Sequence, residues 1–198
     1  MRKRRATIYE RDPDDFYVEP DWCSRRLFEI EPFEGSIVDP SCGTGRVVNA
    51  ARAAGLRAIG ADKVRRCAEA VEADFLDPCW PSMVPICPDN IVSNPPFSPC
   101  NALVDGQIQF VDLCLSRVRR KVALLLPLGW QAGDGRSRYL DRTPLYRVRT
   151  LTPRPSMPPG AFIEAGGKVG GGTDDFAWYI WLIGYDGPSP LNYCRRDG

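Results

Sequence analysis

The chain of 198 residues contains no histidine. Histidine is the commonest general base in enzymes and the partner of Ser–His and Cys–His nucleophiles, so chemistry of those kinds is excluded. The eight cysteines include no Cys-x-x-Cys pair, and without histidine a mixed zinc site cannot be completed. We therefore expect no bound metal, and any catalysis must proceed without imidazole.

Long apolar runs are also missing. Apolar runs such as Val122 to Leu126 are far too short to cross a bilayer, and no leader with an apolar segment precedes the domain. We therefore expect a cytoplasmic protein with reduced thiols and no membrane partner. The length suits one domain that buries a core without disulfides or metals.

The net charge is only +1, from 26 basic and 25 acidic side chains. The distribution is uneven, because ten basic residues between Leu115 and Arg154 stand against two acidic ones, a local balance of +8. A second basic cluster, Met1 to Arg5, opens residues 1–15, which we expect to form a flexible tail. Either cluster could contact nucleic-acid phosphates, or it could form an ordinary solvated surface.

Apolar segments typical of strands alternate with helix-compatible segments. The predicted strands are residues 36–38, 57–61, 91–93, 121–127, 147–151 and 176–183, and the predicted helices are residues 46–54, 64–71, 102–118 and 136–141. This alternation predicts an α/β fold with a mostly parallel sheet. The last, aromatic strand is expected to run antiparallel at the edge. The Gly- and Pro-rich residues 158–173 predict a mobile loop, either a substrate lid or a plain connector.

A glycine-bearing turn, Asp39-Pro40-Ser41-Cys42-Gly43-Thr44-Gly45, follows the first predicted strand. Glycines let a backbone approach a ligand closely, and the helix behind the turn offers unpaired N–H groups. A dinucleotide fingerprint would need a third glycine at position 48, where the chain has valine. A pyrophosphate-binding oxidoreductase is therefore disfavoured.

The segment Asn94-Pro95-Pro96-Phe97 follows the predicted strand at 91–93. Two consecutive prolines stiffen the backbone, so amide acceptors and an aromatic ring are held together. Such a loop suits a flat molecule with an amino group, whose N–H groups would bond to the Asn94 side-chain oxygen and the Pro95 carbonyl. Phe97 would stack on that molecule. An ordinary Asn-Pro-Pro turn is the alternative.

These two segments together resemble the cofactor loop and catalytic loop of S-adenosylmethionine-dependent amino-methyltransferases, over roughly residues 16–126. Small phage and prophage DNA adenine N6-methyltransferases are the members most similar in kind. The resemblance implies S-adenosylmethionine as cofactor and a single domain of residues 16–198. It also implies a Rossmann-like fold, with a mostly parallel seven-stranded sheet, an antiparallel late strand and helices on both faces. The implied catalytic residues are Asn94, Pro95, Pro96 and Phe97.

The resemblance also implies a set of cofactor-binding residues. Asp62 would accept the ribose hydroxyls, Asp74 would accept from the adenine amino group, and Phe75 would lie against the adenine ring. A surface turn for Asp62 and a core anchor for Phe75 are the alternatives. Glu19 stands where a threonine is more usual in this family. The full set is Tyr17, Pro20, Asp39, Pro40, Cys42, Gly43, Gly45, Asp62, Asp74 and Phe75.

The leading interpretation is methylation of adenine N6 in DNA, with residues 136–154 contacting phosphates and the target base flipped out of a duplex. DNA enzymes with this motif order usually carry a large target-recognition domain, for which this chain has no room. A specificity partner or a homo-oligomer could supply that function. The alternatives are an RNA base methyltransferase, a protein-glutamine methyltransferase and a non-catalytic binding module. Trp130 would contact a flipped base or close the core, and Cys100 is expected to be structural.

Overall fold

The computed structural model describes residues 15–167 and 170–196 of the chain. Their strands are β1 (Ile37–Asp39), β2 (Ala58–Asp62), β3 (Val71–Glu72), β4 (Asn90–Ser93), β5 (Lys121–Pro127), β6 (Leu145–Thr152), β7 (Phe176–Leu182) and β8 (Leu191–Arg195). The helices are α1 (Asp21–Ile30), α2 (Arg46–Ala53), α3 (Trp80–Met83), α4 (Phe97–Asn101), α5 (Gln109–Arg117), α6 (Asp134–Leu140) and α7 (Gly160–Glu164). A 3-10 helix, Leu128–Ala132, joins β5 to α6.

The strands form one sheet in the order β3-β2-β1-β4-β5-β7-β6-β8. Strands β1 to β5 run parallel, whereas β7 is antiparallel to both β5 and β6. The predicted α/β fold with a mostly parallel sheet and an antiparallel late strand is therefore confirmed. Two details were wrong. The sheet has eight strands rather than seven, and β7 lies inside it, because β8 pairs parallel to β6 and forms the edge.

Helices cover both faces of the sheet, and β5 shows why. Its residues Val122, Leu124 and Leu126 point into one core cluster, which contains side chains of α3, α5 and α6. Ala123 and Leu125 point into the opposite cluster, which contains side chains of α1 and α2. All five are fully buried, because successive side chains of a central strand enter opposite apolar layers.

Two helix predictions were wrong in extent. Residues 64–71 form turns instead of a helix, because the Asp62 carboxylate accepts a hydrogen bond from the Val64 N–H at 3.0 Å and stabilises a local turn. The predicted helix at 102–118 begins only at Gln109. Asp105 and Gly106 before it have positive φ angles of 50° and 76°, which turn the chain back on itself and end the helical path.

Residues 158–173 contain more structure than the predicted loop. Helix α7 forms within them, and Pro159 bridges antiparallel to Tyr17 near the start of the described chain. Residues 168 and 169 lie outside the described part. The predicted basic tail lies outside it too, except for Asp15, whose carboxylate accepts a hydrogen bond from the Ser98 N–H at 2.7 Å.

Candidate active site

The turns that follow β1, β2 and β4 meet at one edge of the sheet, here called the carboxyl edge. These strands are parallel neighbours, and the chain reverses its strand order between β1 and β4. Such a reversal opens a crevice at the carboxyl ends of the strands. A cavity of about 260 Å³ lies there, between the glycine-bearing turn and the Asn-Pro-Pro-Phe loop.

Ten of the fourteen predicted site residues line this cavity. They are Tyr17, Asp39, Pro40, Cys42, Gly43, Asp62, Asp74, Phe75, Asn94 and Pro96. The remaining four, Pro20, Gly45, Pro95 and Phe97, are not part of its lining. Phe16 and Glu19 also line it, although neither was among the predicted site residues.

The glycine-bearing turn is shaped by contacts that a larger residue would block. Gly43 has a φ of 48°, and a Cβ atom there would lie 2.6 Å from Cε2 of Phe16. Its N–H donates to the Asp62 Oδ2 at 2.8 Å, so the turn after β1 is tied to the end of β2. Gly45 caps the N-terminus of α2 in the left-handed conformation. The Gly43 backbone thus closely approaches both the cavity and the Phe16 ring.

Three buried carboxylates, Glu19, Asp39 and Asp62, surround the cavity. Asp39 is only 1% exposed, and its Oδ1 accepts from the Ser93 hydroxyl at 2.6 Å and the Ser41 N–H at 3.1 Å. Burial raises the pKa of Asp39 well above its ordinary value, and the negative charges of Glu19 and Asp62 raise it further. The cluster suits a cationic ligand, because a positive charge would relieve the repulsion among these groups.

Cations partly balance this cluster. The Arg46 guanidinium donates to the backbone carbonyl of Glu19 at 3.0 Å and to Asp21 at 2.6 Å. Arg66 lies 3.7 Å from the Asp62 Oδ1 and over the Phe16 ring at 4.2 Å. Both guanidinium groups are therefore engaged at the rim of the cavity.

Asp74 and Phe75 border the far end of the cavity. The Asp74 side chain is exposed and accepts a hydrogen bond from the Leu76 N–H at 2.9 Å. Phe75 is 3% exposed and contacts Trp80 edge-on and Phe110 at a tilt, each at 4.9 Å between ring centroids. Phe75 is thus packed in the core and also forms part of the cavity wall. This position is compatible with both interpretations, a core anchor and a contact with the adenine ring.

In the catalytic loop, Asn94 borders the cavity, whereas the ring of Phe97 contacts other aromatic rings of the protein. Asn94 Nδ2 donates to the Tyr17 carbonyl at 2.8 Å and to the Glu19 Oε2 at 2.9 Å, and its Oδ1 is buried with no donor among the described residues. Phe97 stacks on Tyr17 at 5.7 Å and contacts Phe176 at 6.0 Å. Tyr17 therefore covers the face on which Phe97 was expected to receive a base.

Residues 15–19, here called the N-terminal strap, lie across the catalytic loop. The Gly160 N–H donates to the Phe16 carbonyl at 2.8 Å, and the Val18 N–H donates to the Pro158 carbonyl at 3.0 Å. The first residues of the predicted 158–173 loop thus hold the strap in place. Tyr17 and Pro20 were the residues predicted for this part of the chain, but the segment with which it pairs could not be read from sequence.

Several cations of the basic stretch have acidic partners within the protein, and the phosphate contact expected for residues 136–154 stays a prediction. Arg147 and Arg149 lie in β6 and bind the buried carboxylate of Glu31, so they face the protein interior. Arg154 pairs with Asp175 at 2.7 Å. Four further members also have acidic partners, in the pairs Arg119 with Asp89, Arg120 with Glu34, Lys121 with Glu31 and Arg138 with Asp134.

The two open interpretations near the rim are decided by burial. Trp130 is 2% exposed, donates from Nε1 to the Cys100 carbonyl at 2.8 Å and contacts the Tyr179 ring. It closes the core rather than meeting a substrate. Cys100 is fully buried and structural, as expected.

Within residues 15–167 and 170–196, no cluster of side chains suits a metal ion, and no helix has the length and apolarity to span a membrane.

Several solved structures with a similar fold are described as S-adenosylmethionine-dependent methyltransferases or RNA methyltransferases. A Listeria monocytogenes protein assigned to class I of these enzymes has a TM-score of 0.56 and 13% identity; the match covers 89% of this chain and 64% of that one, just under two thirds. A Pyrococcus horikoshii protein assigned as an RNA methyltransferase has a TM-score of 0.53 and 12% identity, with 81% and 83% covered.

A TehB-like methyltransferase of Corynebacterium glutamicum has a TM-score of 0.50 and 16% identity, covering 81% of this chain and 86% of that one. No protein-family model and no curated protein sequence matches the chain. At such low identities the similarity concerns the fold alone. The chain has a Rossmann-like methyltransferase fold, with eight strands in the sheet of the described residues and β8 at its edge.

Proposed function

We propose that this protein is an S-adenosylmethionine-dependent methyltransferase acting on an exocyclic amino group, with adenine N6 in DNA as the favoured target. One observation carries the proposal. At the end of β4, a buried asparagine in a proline-stiffened loop uses both amide hydrogens on protein acceptors and leaves its Oδ1 without a donor. Because a buried unpaired acceptor is costly, the site is suited to an incoming N–H donor.

The residues around the cavity fit the proposed cofactor. S-adenosylmethionine would supply an electrophilic methyl group on a sulfonium, and its sulfonium and amino group are both cationic. Asp39, Asp62 and Glu19 provide buried negative charge around the cavity. Asp62 retains acceptor capacity for ribose hydroxyls, since each carboxylate oxygen can accept two hydrogen bonds. Asp74 would accept from the adenine amino group, as the resemblance implies.

The protein's part in the reaction would be to orient the acceptor nitrogen. An exocyclic amine is a poor nucleophile because its lone pair is delocalised into the ring. Hydrogen bonds from its N–H groups to the Asn94 Oδ1 and the Pro95 carbonyl would favour a pyramidal nitrogen with an available lone pair. The nitrogen would attack the methyl carbon as the sulfonium–methyl bond breaks and S-adenosylhomocysteine leaves, and it would then lose its proton to water, so no histidine is needed.

The sequence predicted that Phe97 stacks on the base. Either another aromatic ring has this role, or Phe97 becomes available after a rearrangement. Tyr17 occupies one face of Phe97, whereas Tyr17 itself borders the cavity. A base could stack on Phe97 only after Tyr17 moves, or it could contact Tyr17 instead. Base–aromatic stacking contributes about 1 to 3 kcal/mol, so either arrangement would matter for affinity.

RNA is the second candidate substrate. One of the structural neighbours is assigned as an RNA methyltransferase and matches over most of both chains. The paired arginines of the basic stretch also weaken the original argument for a duplex-binding surface. A protein-glutamine substrate and a non-catalytic role have no specific observation in their favour.

A substrate panel tests the proposal. Purified protein and methyl-labelled cofactor would be incubated separately with duplex DNA, single-stranded DNA, total RNA and a protein extract, and the modified nucleoside or residue identified by mass spectrometry. We expect N6-methyladenine in DNA. Label in RNA would identify RNA instead of DNA as the substrate, and the proposed methylation of an amino group would stand. No label in any sample, with the cofactor bound, would contradict the enzymatic role.

A further inference from the structure

Glu19 is a buried acid whose carboxylate contacts the proposed catalytic amide. It is 5% exposed and is the last residue of the N-terminal strap. Its Oε2 accepts from the Asn94 Nδ2 at 2.9 Å, and its Oε1 accepts from the Ser24 hydroxyl at 3.3 Å. The second hydrogen of the Asn94 amide goes to the Tyr17 carbonyl at 2.8 Å. Both hydrogens of that amide are therefore used.

The chemistry of these partners fixes which way the amide faces. An ionised carboxylate and a backbone carbonyl can only accept hydrogen bonds, so both require the Nδ2 side of Asn94. The Oδ1 is thereby directed away from them. If Glu19 were protonated, its O–H could donate to the Oδ1 of a rotated amide, and the nitrogen would then occupy the position of the free acceptor.

We propose that Glu19 is a positioning residue, whose ionised carboxylate fixes the Asn94 amide so that Oδ1 is presented to the methyl-accepting nitrogen. This inference rests on the proposed function for its catalytic consequence. The orientation of the amide can be tested without any substrate. Glu19 itself touches no reacting atom in this scheme and acts only through Asn94.

The groups that face Glu19 come from three packed elements. Arg46 on α2 donates to its backbone carbonyl, Asp39 lies on β1, and Cys23 and Ser24 lie on α1. Burial raises the pKa of Glu19 above its ordinary value, and its hydrogen bonds and the charge of Arg46 offset part of that rise. Protonation of Glu19, as the pH falls through its raised pKa, would then release the amide, so the inference predicts a pH dependence.

The first test is nuclear magnetic resonance of the full chain with ¹⁵N label, with the Asn94 side-chain amide assigned by its loss in Asn94→Ala. We expect its hydrogens to exchange more slowly than those of the exposed Asn101 and to titrate with Glu19. The substitution Glu19→Gln keeps the volume and should abolish that titration. An Asn94 amide that exchanges like Asn101, or titrates identically in Glu19→Gln, would overturn the inference.

The second test uses the substrate identified by the panel described above. Relative to wild type, Glu19→Gln should lower kcat about 10-fold at neutral pH and saturating cofactor, because misaligned catalytic groups are costly. The acidic limb of the kcat profile should shift or vanish. Glu164→Gln, an exposed substitution on α7, should match wild type in every respect.

The outcomes separate the two proposals. If Asn94→Ala keeps full turnover, the proposed function fails, whatever the spectra show. If Asn94→Ala is inactive but Glu19→Gln retains the wild-type kcat and pH profile, the catalytic loop stands and the positioning role of Glu19 is wrong. A combined loss of the amide titration and of kcat in Glu19→Gln supports both.

Discussion

Two buried glutamates at opposite ends of the sheet have very different surroundings. Glu31, at the end of α1, is 1% exposed and binds three cations, Lys121 at 2.7 Å, Arg149 at 3.0 Å and Arg147 at 3.3 Å. It lies toward the start of β5 and β6, here called the amino edge. Glu19, at the carboxyl edge, has hydrogen bonds from Asn94 and Ser24 but has Asp39 nearby instead of a ring of cations.

The surroundings of Glu31 suit a structural role at the amino edge, whereas those of Glu19 suit a ligand-binding role at the carboxyl edge. At the amino edge, three cations surround one carboxylate, and the cluster ties α1 to β5 and β6. At the carboxyl edge, three acids surround a cavity, and burial together with like charges raises the pKa of Asp39. Unfavourable electrostatics of this kind are typical of functional sites, because a bound ligand can relieve them.

The largest expected effect tests the amino edge. Glu31→Gln should destabilise the fold by roughly 3 to 5 kcal/mol, because three partly buried cations would lose their shared carboxylate. Chemical denaturation followed by circular dichroism measures this loss. The matched substitution Glu19→Gln at the carboxyl edge should change stability by less than about 1 kcal/mol. Equal losses at the two positions would show that the edges do not differ in the way described.

The second effect concerns catalysis at the carboxyl edge. Asn94→Ala should lower kcat by about 10²- to 10³-fold, the usual loss when one preorganised polar group is removed from a transition state. Cofactor affinity, measured by isothermal titration calorimetry, should stay within about 2-fold, because Asn94 is proposed to contact the acceptor. Glu31→Gln, assayed at a temperature where it is folded, should retain wild-type kcat, since its cluster lies at the other edge.

The carboxyl edge was largely predictable from sequence because its signals are local. The apolar runs that became β1, β2, β4 and β5 end in turns with special residues, and parallel strands bring such ends together. The order of these strands places the glycine-bearing turn beside the Asn-Pro-Pro-Phe loop. Asn94 and Gly43 therefore border one cavity, as the two motifs indicated.

The remainder depends on long-range contacts that no local pattern contains. The cations of β6 looked like a phosphate surface because their partner, Glu31, lies 118 residues away from Arg149. Phe97 looked like a free stacking ring because Tyr17, which covers it, is far away in sequence. Strand β8 was missed because Leu191–Arg195 is short and has no clear alternation, so only its pairing with β6 defines it.

A third prediction, with an effect of intermediate size, concerns the ribose-binding role of Asp62 at the carboxyl edge. Asp62→Asn should weaken cofactor binding about 10-fold, because charge-assisted hydrogen bonds to the ribose would become neutral ones. The amide keeps the side-chain volume and one acceptor for the Gly43 N–H, so the turn should survive. Calorimetry gives the affinity, and kcat at saturating cofactor should be nearly unchanged. Unchanged affinity with lowered kcat would contradict the ribose-binding role.

The smallest effect is a pH-dependent difference in stability between wild type and Asp39→Asn without cofactor. The folded-state pKa of Asp39 is raised, mainly by burial, above the ordinary value of about 4 for an unfolded chain. Its folding contribution is therefore most favourable below that ordinary value and is lost as pH rises through the folded pKa.

Above the folded pKa the ionised Asp39 consequently costs stability, and Asp39→Asn should melt a few degrees higher than wild type there, at about 2 to 4 °C per kcal/mol. The advantage should shrink as pH falls through the folded pKa, because wild-type Asp39 then becomes neutral too. Thermal melts of both proteins across pH 5 to 8 measure it, with Glu164→Gln as the neutral control. Added cofactor should reverse the order at neutral pH, since a cationic ligand stabilises the charged carboxyl edge of wild type more than that of the variant.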